Sequence, residues 1–127
     1  MGKTIYIIDD EESILEALKF MLEYDGYIVK TSTTGQVLFE LTGQLPDLII
    51  IDFRLTNEDG REIARKLKSS EKTKYIPIIL ISSDLEPHKD FKNYGIDDFM
   101  AKPFEIDEML NKIDKYTHKR RTLFHLI

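Results

Sequence analysis

Two hydrophobic patterns alternate along this chain. Short apolar runs rich in Ile, Leu and Val are typical of strands that are buried on both faces of a sheet. Between these runs, apolar residues recur every three or four positions, which is the spacing of a helix with one face against a core. The strand-like runs cover residues 4–8, 27–29, 48–51, 76–81 and 98–101. The pattern therefore predicts five strands separated by helices.

The predicted helices occupy the intervals after the strands. The first begins near Ser13, which together with Glu16 matches a capping box, and it ends before Gly26. The third follows the Asp59-Gly60 turn, and the fourth has the weakest periodicity. The apolar positions of the five helices lie within residues 14–22, 37–41, 63–67, 88–94 and 106–116.

Strands and helices that alternate in this way form parallel βα units. We therefore predict an α/β fold of three layers, in which a doubly wound, five-stranded parallel sheet is covered by five helices. Helices on both faces explain why the first, third and fourth strands are apolar throughout. In such sheets, ligands bind outside the carboxyl ends of the strands. The residues directly after each strand are therefore the candidates for a functional site.

Length and composition exclude several classes of protein. A chain of 127 residues fits one compact domain, which we assign to residues 1–117. It contains no cysteine, so disulfides and thiolate metal sites are excluded. The net charge of −5 argues against direct nucleic-acid binding, which calls for clustered basic residues. We find no apolar stretch that would span a membrane and no secretion signal, so we expect a cytoplasmic protein.

Residues 118–127 form a separate segment, in which a basic stretch is followed by an apolar one. We interpret it as an extension of the last helix or a frayed tail. The alternatives are a contact with a second copy or another partner, or the start of a further domain. We expect a monomer or a weak homodimer.

Charged and hydroxyl residues follow four of the predicted strands. Asp9 and Asp10 follow the first strand, and Asp52 follows the third. Ser82 follows the fourth strand and Lys102 follows the fifth. Because the carboxyl ends of parallel strands meet at one edge of a sheet, we expect three carboxylates, a hydroxyl and an ammonium group to lie together there.

Three carboxylates in one place need a compensating charge, because two like charges about 4 Å apart cost about 4 kcal/mol at an effective dielectric of about 20. Mg²⁺ suits a site made only of oxygen ligands and often binds one or two carboxylates together with a phosphate. The remaining carboxylate can attack phosphorus, while Lys102 and Ser82 contact the phosphoryl oxygens. The pattern favours a phosphoryl-accepting site at Asp52.

These residues, in this order, resemble the receiver domains of two-component response regulators. The resemblance covers about residues 3–117, and four motifs in register on one fold make it specific. They are the acidic segment 7–12, the acceptor segment 48–52 with the Asp59-Gly60 pair after it, the hydroxyl segment 79–83 and the Ala-Lys-Pro-Phe segment 101–104. The resemblance implies a stand-alone receiver domain with the flavodoxin-like strand order 2-1-3-4-5.

The resemblance also implies a role for each site residue. Asp52 would accept the phosphoryl group from a phosphohistidine on a sensor histidine kinase or a phosphotransfer protein. Asp9 and Asp10 would hold Mg²⁺ together with Asp52. The backbone carbonyl of Arg54 would complete the metal site, and Lys102 would contact the phosphoryl group.

A switch between two states is implied as well. Ser82 would move toward the phosphoryl group, and the aromatic side chain of Phe99 would turn inward behind it. The bond between Lys102 and Pro103 is expected to be cis. Output would pass to a downstream protein through the face formed by helix four, strand five and helix five. We expect no enzymatic activity beyond the domain's own phosphorylation and dephosphorylation.

The sequence departs from the family pattern at several positions. Thr56 stands where the family often has proline, and Phe99 replaces the more common tyrosine. Arg54 and Asp84 lie two residues beyond the acceptor and the switch hydroxyl, where the family tunes dephosphorylation. Opposite charges there can pair over the site and hinder an attacking water, so we predict a long-lived phosphoryl state.

Three other functions compete with this interpretation. A pseudo-receiver would bind partners without phosphorylation, although the acceptor set is intact. A phosphatase of the haloacid-dehalogenase type would form an aspartyl phosphate, but Arg54 stands at the position of its second acid. A flavin-binding module of the same topology would need a phosphate loop after the first strand, where residues 9–12 are all acidic and would repel a phosphate.

Overall fold

The computed structural model describes residues 2–84 and 89–117. Its central sheet has five parallel strands in the order β2-β1-β3-β4-β5. They are β1 (Thr4–Ile8), β2 (Ile28–Ser32), β3 (Leu48–Asp52), β4 (Ile78–Ser82) and β5 (Asp98–Ala101). The predicted doubly wound α/β fold and its flavodoxin-like strand order are confirmed.

The register of the sheet brings the carboxyl ends of its strands to one edge. Asp52 at the end of β3 pairs with Ile81 of β4, and Ser82 at the end of β4 pairs with Ala101 of β5. Every residue of β3 and β4 is buried, because both faces of these strands are covered. The residues that were predicted to share a site therefore follow strands that end side by side.

Helical segments occupy all five predicted positions within the described ranges, but they are not all α-helices. The α-helices are α1 (Glu12–Tyr24), α2 (Gly60–Lys68) and α3 (Ile106–Thr117). A 3-10 helix, Gly35–Phe39, takes the second position, where the apolar stretch is too short for a stable α-helix. In the fourth position, residues 89–90 are helical and a second 3-10 helix, Phe91–Tyr94, follows.

Two apolar layers enclose the sheet. α1 and α3 pack on one face, and α2 packs on the other face together with the two 3-10 helices. Along β3, Ile50 points into the first layer, whereas Ile49 and Ile51 point into the second. Because β3 is packed on both faces, the core defines the position of Asp52 at the end of this strand.

The start of α1 differs from the predicted capping box. The helix begins at Glu12 and its N-cap is Glu11, whose side chain makes no capping hydrogen bond within the described residues. Ser13 lies inside the first turn and is not the N-cap, so its pairing with Glu16 as a capping box was wrong. The carboxylate of Asp9 instead accepts a hydrogen bond from the Glu11 N–H at 2.9 Å. A residue of the candidate site therefore orders this turn.

Several strand boundaries also differ from their predictions, and β2 covers Ile28–Ser32 where residues 27–29 were predicted. β4 begins at Ile78. Pro77 precedes it and has no N–H to donate, although the carbonyl of Pro77 accepts a hydrogen bond from the Ile49 N–H at 3.0 Å.

The predicted extension or tail at residues 118–127 lies outside the described residues. None of the helices in the described ranges has the length and apolar character needed to cross a membrane.

Candidate functional site

Three carboxylates meet at the carboxyl edge of the sheet. Asp9 and Asp10 follow β1, and Asp52 ends β3. One oxygen atom from each side chain can be chosen so that all three lie within 4.8 Å of one another. Asp9 is fully buried and Asp52 is 8% exposed, whereas Asp10 is open to solvent. The structure therefore brings together the three acidic residues that the sequence selected.

Lys102 reaches this acidic cluster from the end of β5. Its Nζ lies 3.0 Å from Oδ2 of Asp9 and 3.3 Å from Oδ2 of Asp52. The backbone N–H of Lys102 donates to the carbonyl of Ser82 at 2.8 Å, which fixes the start of this loop against β4. The bond between Lys102 and Pro103 is cis, as the family resemblance implied. One ammonium group thus bridges two of the three carboxylates.

Burial dominates the electrostatics of Asp52. It raises the pKa of this carboxyl from 3.8 to about 6, against the attraction of the Lys102 ammonium group. The negative charges of Asp9 and Asp10 raise the pKa further. The site is therefore unfavourable for a lone negative charge and favours an additional cation.

The electrostatics of Lys102 complement those of the acids. Its own burial lowers the pKa of the ammonium group, but the hydrogen bond to Asp9 and the charges of Asp9 and Asp52 raise it more, and the net shift is upward. Lys102 is therefore a fixed positive charge at neutral pH. One ammonium group does not balance three carboxylates, so the described cluster keeps a net negative charge.

The loop after Asp52 explains the Asp59-Gly60 motif. A Cβ atom at Gly60 would lie 2.3 Å from the backbone oxygen of Asp52, so only glycine fits without a shift of the acceptor backbone. The Gly60 N–H donates to the carbonyl of Phe53 at 2.8 Å, and the side chain of Asp59 accepts from the N–H of Arg61 to cap α2. The motif therefore positions the acceptor, although none of its side chains enters the acidic cluster.

The predicted switch residues lie on β4, which pairs with the acceptor strand β3, and on β5, which pairs with β4. Ser82 is 2% exposed, and its Oγ accepts a hydrogen bond from the Asp84 N–H at 2.8 Å. Phe99 is buried, and its ring centroid lies 6.1 Å from that of Phe91. The movements that the resemblance implies for Ser82 and Phe99 stay predictions.

An ion pair joins the loop after Asp52 to the residues after β4. The Nε of Arg54 donates to Oδ2 of Asp84, and three quarters of the Arg54 side chain is exposed. The two residues that were expected to pair therefore do so, while the role of the Arg54 carbonyl as a metal ligand stays a prediction. The effect of this pair on the phosphoryl lifetime is also a prediction.

The sequence did not reveal two further contacts of the site. Thr56 Oγ1 donates to Oδ2 of Asp10 at 3.2 Å, so the residue at the usual proline position contacts a candidate metal ligand. The guanidinium group of Arg61 contacts Phe53, the residue directly after the acceptor. Both contacts join the acceptor loop to another part of the chain, and residue spacing gives no signal for either.

The donor set of the cluster fits a hard divalent cation. Its candidate ligands are carboxylate oxygens alone, which suit Mg²⁺ better than a soft metal. The raised pKa of Asp52 shows that its charge is not fully compensated by the protein. Asp10 is exposed, which leaves a path by which an ion with bound waters can enter.

Comparison with known proteins agrees with this geometry. The family model of the response regulator receiver domain matches residues 5–114, most of the chain. The chain belongs to this family. The resemblance inferred from the four motifs is therefore confirmed, and the acidic cluster of this receiver domain lies at the carboxyl edge of its sheet.

Several relatives of this receiver domain are known. The phosphate regulon transcriptional regulatory protein PhoB of Pseudomonas aeruginosa is 36% identical over 116 residues, which cover 89% of this chain and 51% of PhoB. The chain spans about half the length of the curated relatives it matches. The similarity to these relatives therefore concerns their receiver portion.

Two solved structures are close in fold. The response regulator TrrA of Thermotoga maritima, in complex with Mg²⁺-BeF, is 30% identical with a TM-score of 0.79, and the match covers 90% of this chain and 98% of TrrA. The receiver domain of a sensor histidine kinase of Pseudomonas aeruginosa PAO1 has a magnesium ion coordinated in its active-site cleft. It is 25% identical with a TM-score of 0.82, and the match covers 92% of this chain and 98% of that domain.

Proposed function

We propose that this receiver domain is a phosphorylation-activated signalling switch that accepts a phosphoryl group on Asp52. The donor is a phosphohistidine on a sensor histidine kinase or a phosphotransfer protein. The observation that carries the proposal is the set of three carboxylate oxygens within 4.8 Å beside an ammonium group 3.3 Å from the acceptor. Such a set offers a nucleophile and positive charge for the phosphoryl oxygens at the same place.

The Asp52 carboxylate is suited to act as the nucleophile. With a pKa of about 6, it is mostly ionised at neutral pH, although burial leaves it poorly solvated. A carboxylate oxygen of Asp52 forms a bond to phosphorus while the bond from phosphorus to the histidine nitrogen breaks, and the nitrogen retains the electron pair. Lys102 holds positive charge beside the reacting oxygen throughout, and its contact to Asp9 keeps the ammonium group in place.

A magnesium ion fits the proposed reaction. Asp9, Asp10 and Asp52 would hold it, and it would neutralise charge on the phosphoryl oxygens when bound. Support comes from the Thermotoga maritima relative in complex with Mg²⁺-BeF and from the Pseudomonas aeruginosa receiver domain with magnesium in its cleft. The raised pKa of Asp52 is consistent with this proposal, because a buried site that disfavours negative charge is stabilised by a cation.

The proposed output is binding to a downstream protein through the face formed by the Phe91–Tyr94 helix, β5 and α3. Phe99 on β5 contacts Phe91 of that helix, so a change near Ser82 has a packed route to this surface. Direct nucleic-acid binding is not part of the proposal, and the domain is proposed to act in the cytoplasm as a monomer or weak dimer. Its chemistry is limited to its own phosphorylation and dephosphorylation.

A phosphorylation assay with a small phosphodonor tests the proposal. The protein is incubated with Mg²⁺ and acetyl phosphate, and the intact mass is followed for the addition of one phosphoryl group. We expect the wild type and a Glu16→Gln control to be modified, since Glu16 is an exposed acid on α1 outside the site. Asp52→Asn should remain unmodified. Equal modification of Asp52→Asn and the wild type would place the acceptor elsewhere.

A further inference from the structure

Arg61 occupies an unusual position between two aromatic rings. Its guanidinium carbon lies 4.7 Å from the ring centroid of Phe53 and 4.8 Å from that of Tyr94. Only 20% of the Arg61 side chain is exposed. A planar guanidinium group can stack flat on a ring while its edges donate hydrogen bonds, whereas a lysine ammonium group contacts a ring only as a point charge.

The edges of the same guanidinium group are also used. Nη2 lies 3.2 Å from Oδ2 of Asp59, and Nη1 lies 3.4 Å from Oδ1 of Asp90. The hydrogen bond that Arg61 donates to Asp59 raises the pKa of Arg61, so the group stays charged. Arg61 thereby joins α2, which carries it, to the segment before β5, which carries Asp90 and Tyr94.

The Phe53 end of this contact is fixed to the acceptor. The N–H of Phe53 donates to the carbonyl of Ile81 at 2.8 Å, and its carbonyl accepts from the N–H of Gly60 at 2.8 Å. Phe53 directly follows Asp52, so a movement of the Asp52 peptide on occupancy of the site would also move the ring of Phe53, which Arg61 contacts.

The Tyr94 end lies on the proposed output surface. Tyr94 belongs to the same 3-10 helix as Phe91, and the Phe91 ring contacts the ring of Phe99. This short helix is therefore held from two sides, by Phe99 on β5 and by Arg61 on α2. The route through Arg61 reaches the helix without passing through Ser82.

We propose that Arg61 is a positioning residue that couples occupancy of the acceptor site to the Phe91–Tyr94 helix. The inference rests on the proposed function, since it assumes that Asp52 is the occupied site. Arg61 contacts no phosphoryl oxygen. It acts by holding the rings of Phe53 and Tyr94 in one arrangement, so that a change in the position of either ring alters the other.

Arg65 provides a matched control on the same helix. Its guanidinium carbon lies 4.1 Å from the Tyr94 ring centroid, and it pairs with Glu62 of its own helix at 3.4 Å. Half of the Arg65 side chain is exposed. Arg65→Lys therefore removes a contact to Tyr94 from α2 at a position one turn further from the acceptor loop. Arg61→Lys removes the stacking on Phe53 as well and keeps the charge.

The test measures amide hydrogen exchange at residues 91–94 with and without Mg²⁺ and beryllium fluoride. We expect occupancy to change the exchange rate in the wild type and in Arg65→Lys. In Arg61→Lys the mimic should still bind, but the change at residues 91–94 should be reduced about threefold, the order of a cation–π contact at a partly exposed site. A full response in Arg61→Lys, with binding intact, would overturn the proposal.

A ligand-free arm separates this inference from the proposed function. In the free protein, Arg61→Lys and Tyr94→Leu should each raise the exchange rate at residues 91–94. The rate of the double variant should be lower than the product of the two single effects, because both substitutions remove the contact between Arg61 and Tyr94. If the double variant instead showed the full product of the two single effects on the exchange rate, the proposed coupling through Arg61 and Tyr94 would be refuted. Failure of the wild type to bind the mimic would refute only the function of Asp52, and the free-protein cycle would still decide the role of Arg61.

Discussion

Asp52→Asn is expected to stabilise the metal-free fold at neutral pH. The substitution removes a negative charge that is buried beside two other carboxylates and keeps the shape of the side chain. The pKa of Asp52 is about 6 in the folded protein, against 3.8 for a free side chain. A difference of about two pKa units corresponds to about 3 kcal/mol, which is the cost of ionising this carboxyl in the fold. The attraction of Lys102 is already contained in this shift, so the expected net gain is up to about 3 kcal/mol.

The pH dependence of this gain has a definite sign. Because the folded pKa of Asp52 is raised, the contribution of this carboxyl to stability is fully present below about pH 4 and is lost as the pH rises through about 6. The neutral amide of the variant has no such dependence. The stability difference between Asp52→Asn and the wild type should therefore be smallest near pH 4 and reach its full size above about pH 7.

Urea unfolding measured by circular dichroism from pH 4.5 to 8 in the presence of a chelator tests this expectation. Glu16→Gln is the control, since it changes the net charge of the protein by the same amount as Asp52→Asn but removes an exposed carboxylate. It should change the free energy of unfolding by less than about 0.5 kcal/mol at every pH. Added Mg²⁺ should stabilise the wild type, by about 1.4 kcal/mol at ten times its dissociation constant, and should stabilise Asp52→Asn less. A difference between variant and wild type that did not vary with pH would refute the assignment of a raised pKa to Asp52.

Three other substitutions test separate parts of the site. Arg54→Ala breaks the pair with Asp84 and should shorten the phosphoryl lifetime by up to about fivefold, the limit for an exposed ion pair; an unchanged decay rate of phosphorylated protein would exclude this role. Gly60→Ala places a methyl group 2.3 Å from the Asp52 carbonyl oxygen and should cost about 1–3 kcal/mol in urea unfolding, so a neutral effect would contradict the close approach. Lys102→Met should strengthen Mg²⁺ binding and weaken beryllium fluoride binding in calorimetry, because it removes a competing cation and a phosphoryl contact together; parallel changes in both affinities would argue against its bridging role.

The strands and the residues at their carboxyl ends could be predicted from the sequence. A strand covered on both faces is apolar throughout, as β3 is, so its end is visible where Asp52 interrupts the apolar run. Parallel strands then bring their carboxyl ends to one edge, and the grouping of Asp9, Asp10 and Asp52 follows from topology alone. The site could be predicted because it depends on where strands end and not on how side chains pack.

The parts that could not be predicted depend on packing between segments that are distant in sequence. The capping box at Ser13 failed because Asp9 accepts from the Glu11 N–H and the N-cap is Glu11, two residues before Ser13. The 3-10 form of Gly35–Phe39 was missed because apolar spacing over so few residues does not distinguish the two kinds of helix. The contacts of Arg61 with two aromatic rings could not be predicted from the sequence, since a charged residue at the start of a helix is usually solvated.

Stability and phosphoryl acceptance are expected to oppose each other at this edge of the sheet. Burial of Asp52 raises its pKa and makes the charged form costly, yet the same burial places the carboxylate against Lys102 and excludes water from the reacting oxygen. A cation relieves the cost only if all three acids remain, because each contributes an oxygen within 4.8 Å of the others. Neutralising an acid should therefore stabilise the metal-free fold and weaken the binding of Mg²⁺. A neutral variant of Asp10 or Asp52 could instead be less stable than the wild type without Mg²⁺ and still bind Mg²⁺ with unchanged affinity. That result would be inconsistent with a site whose negative charges serve to bind a cation.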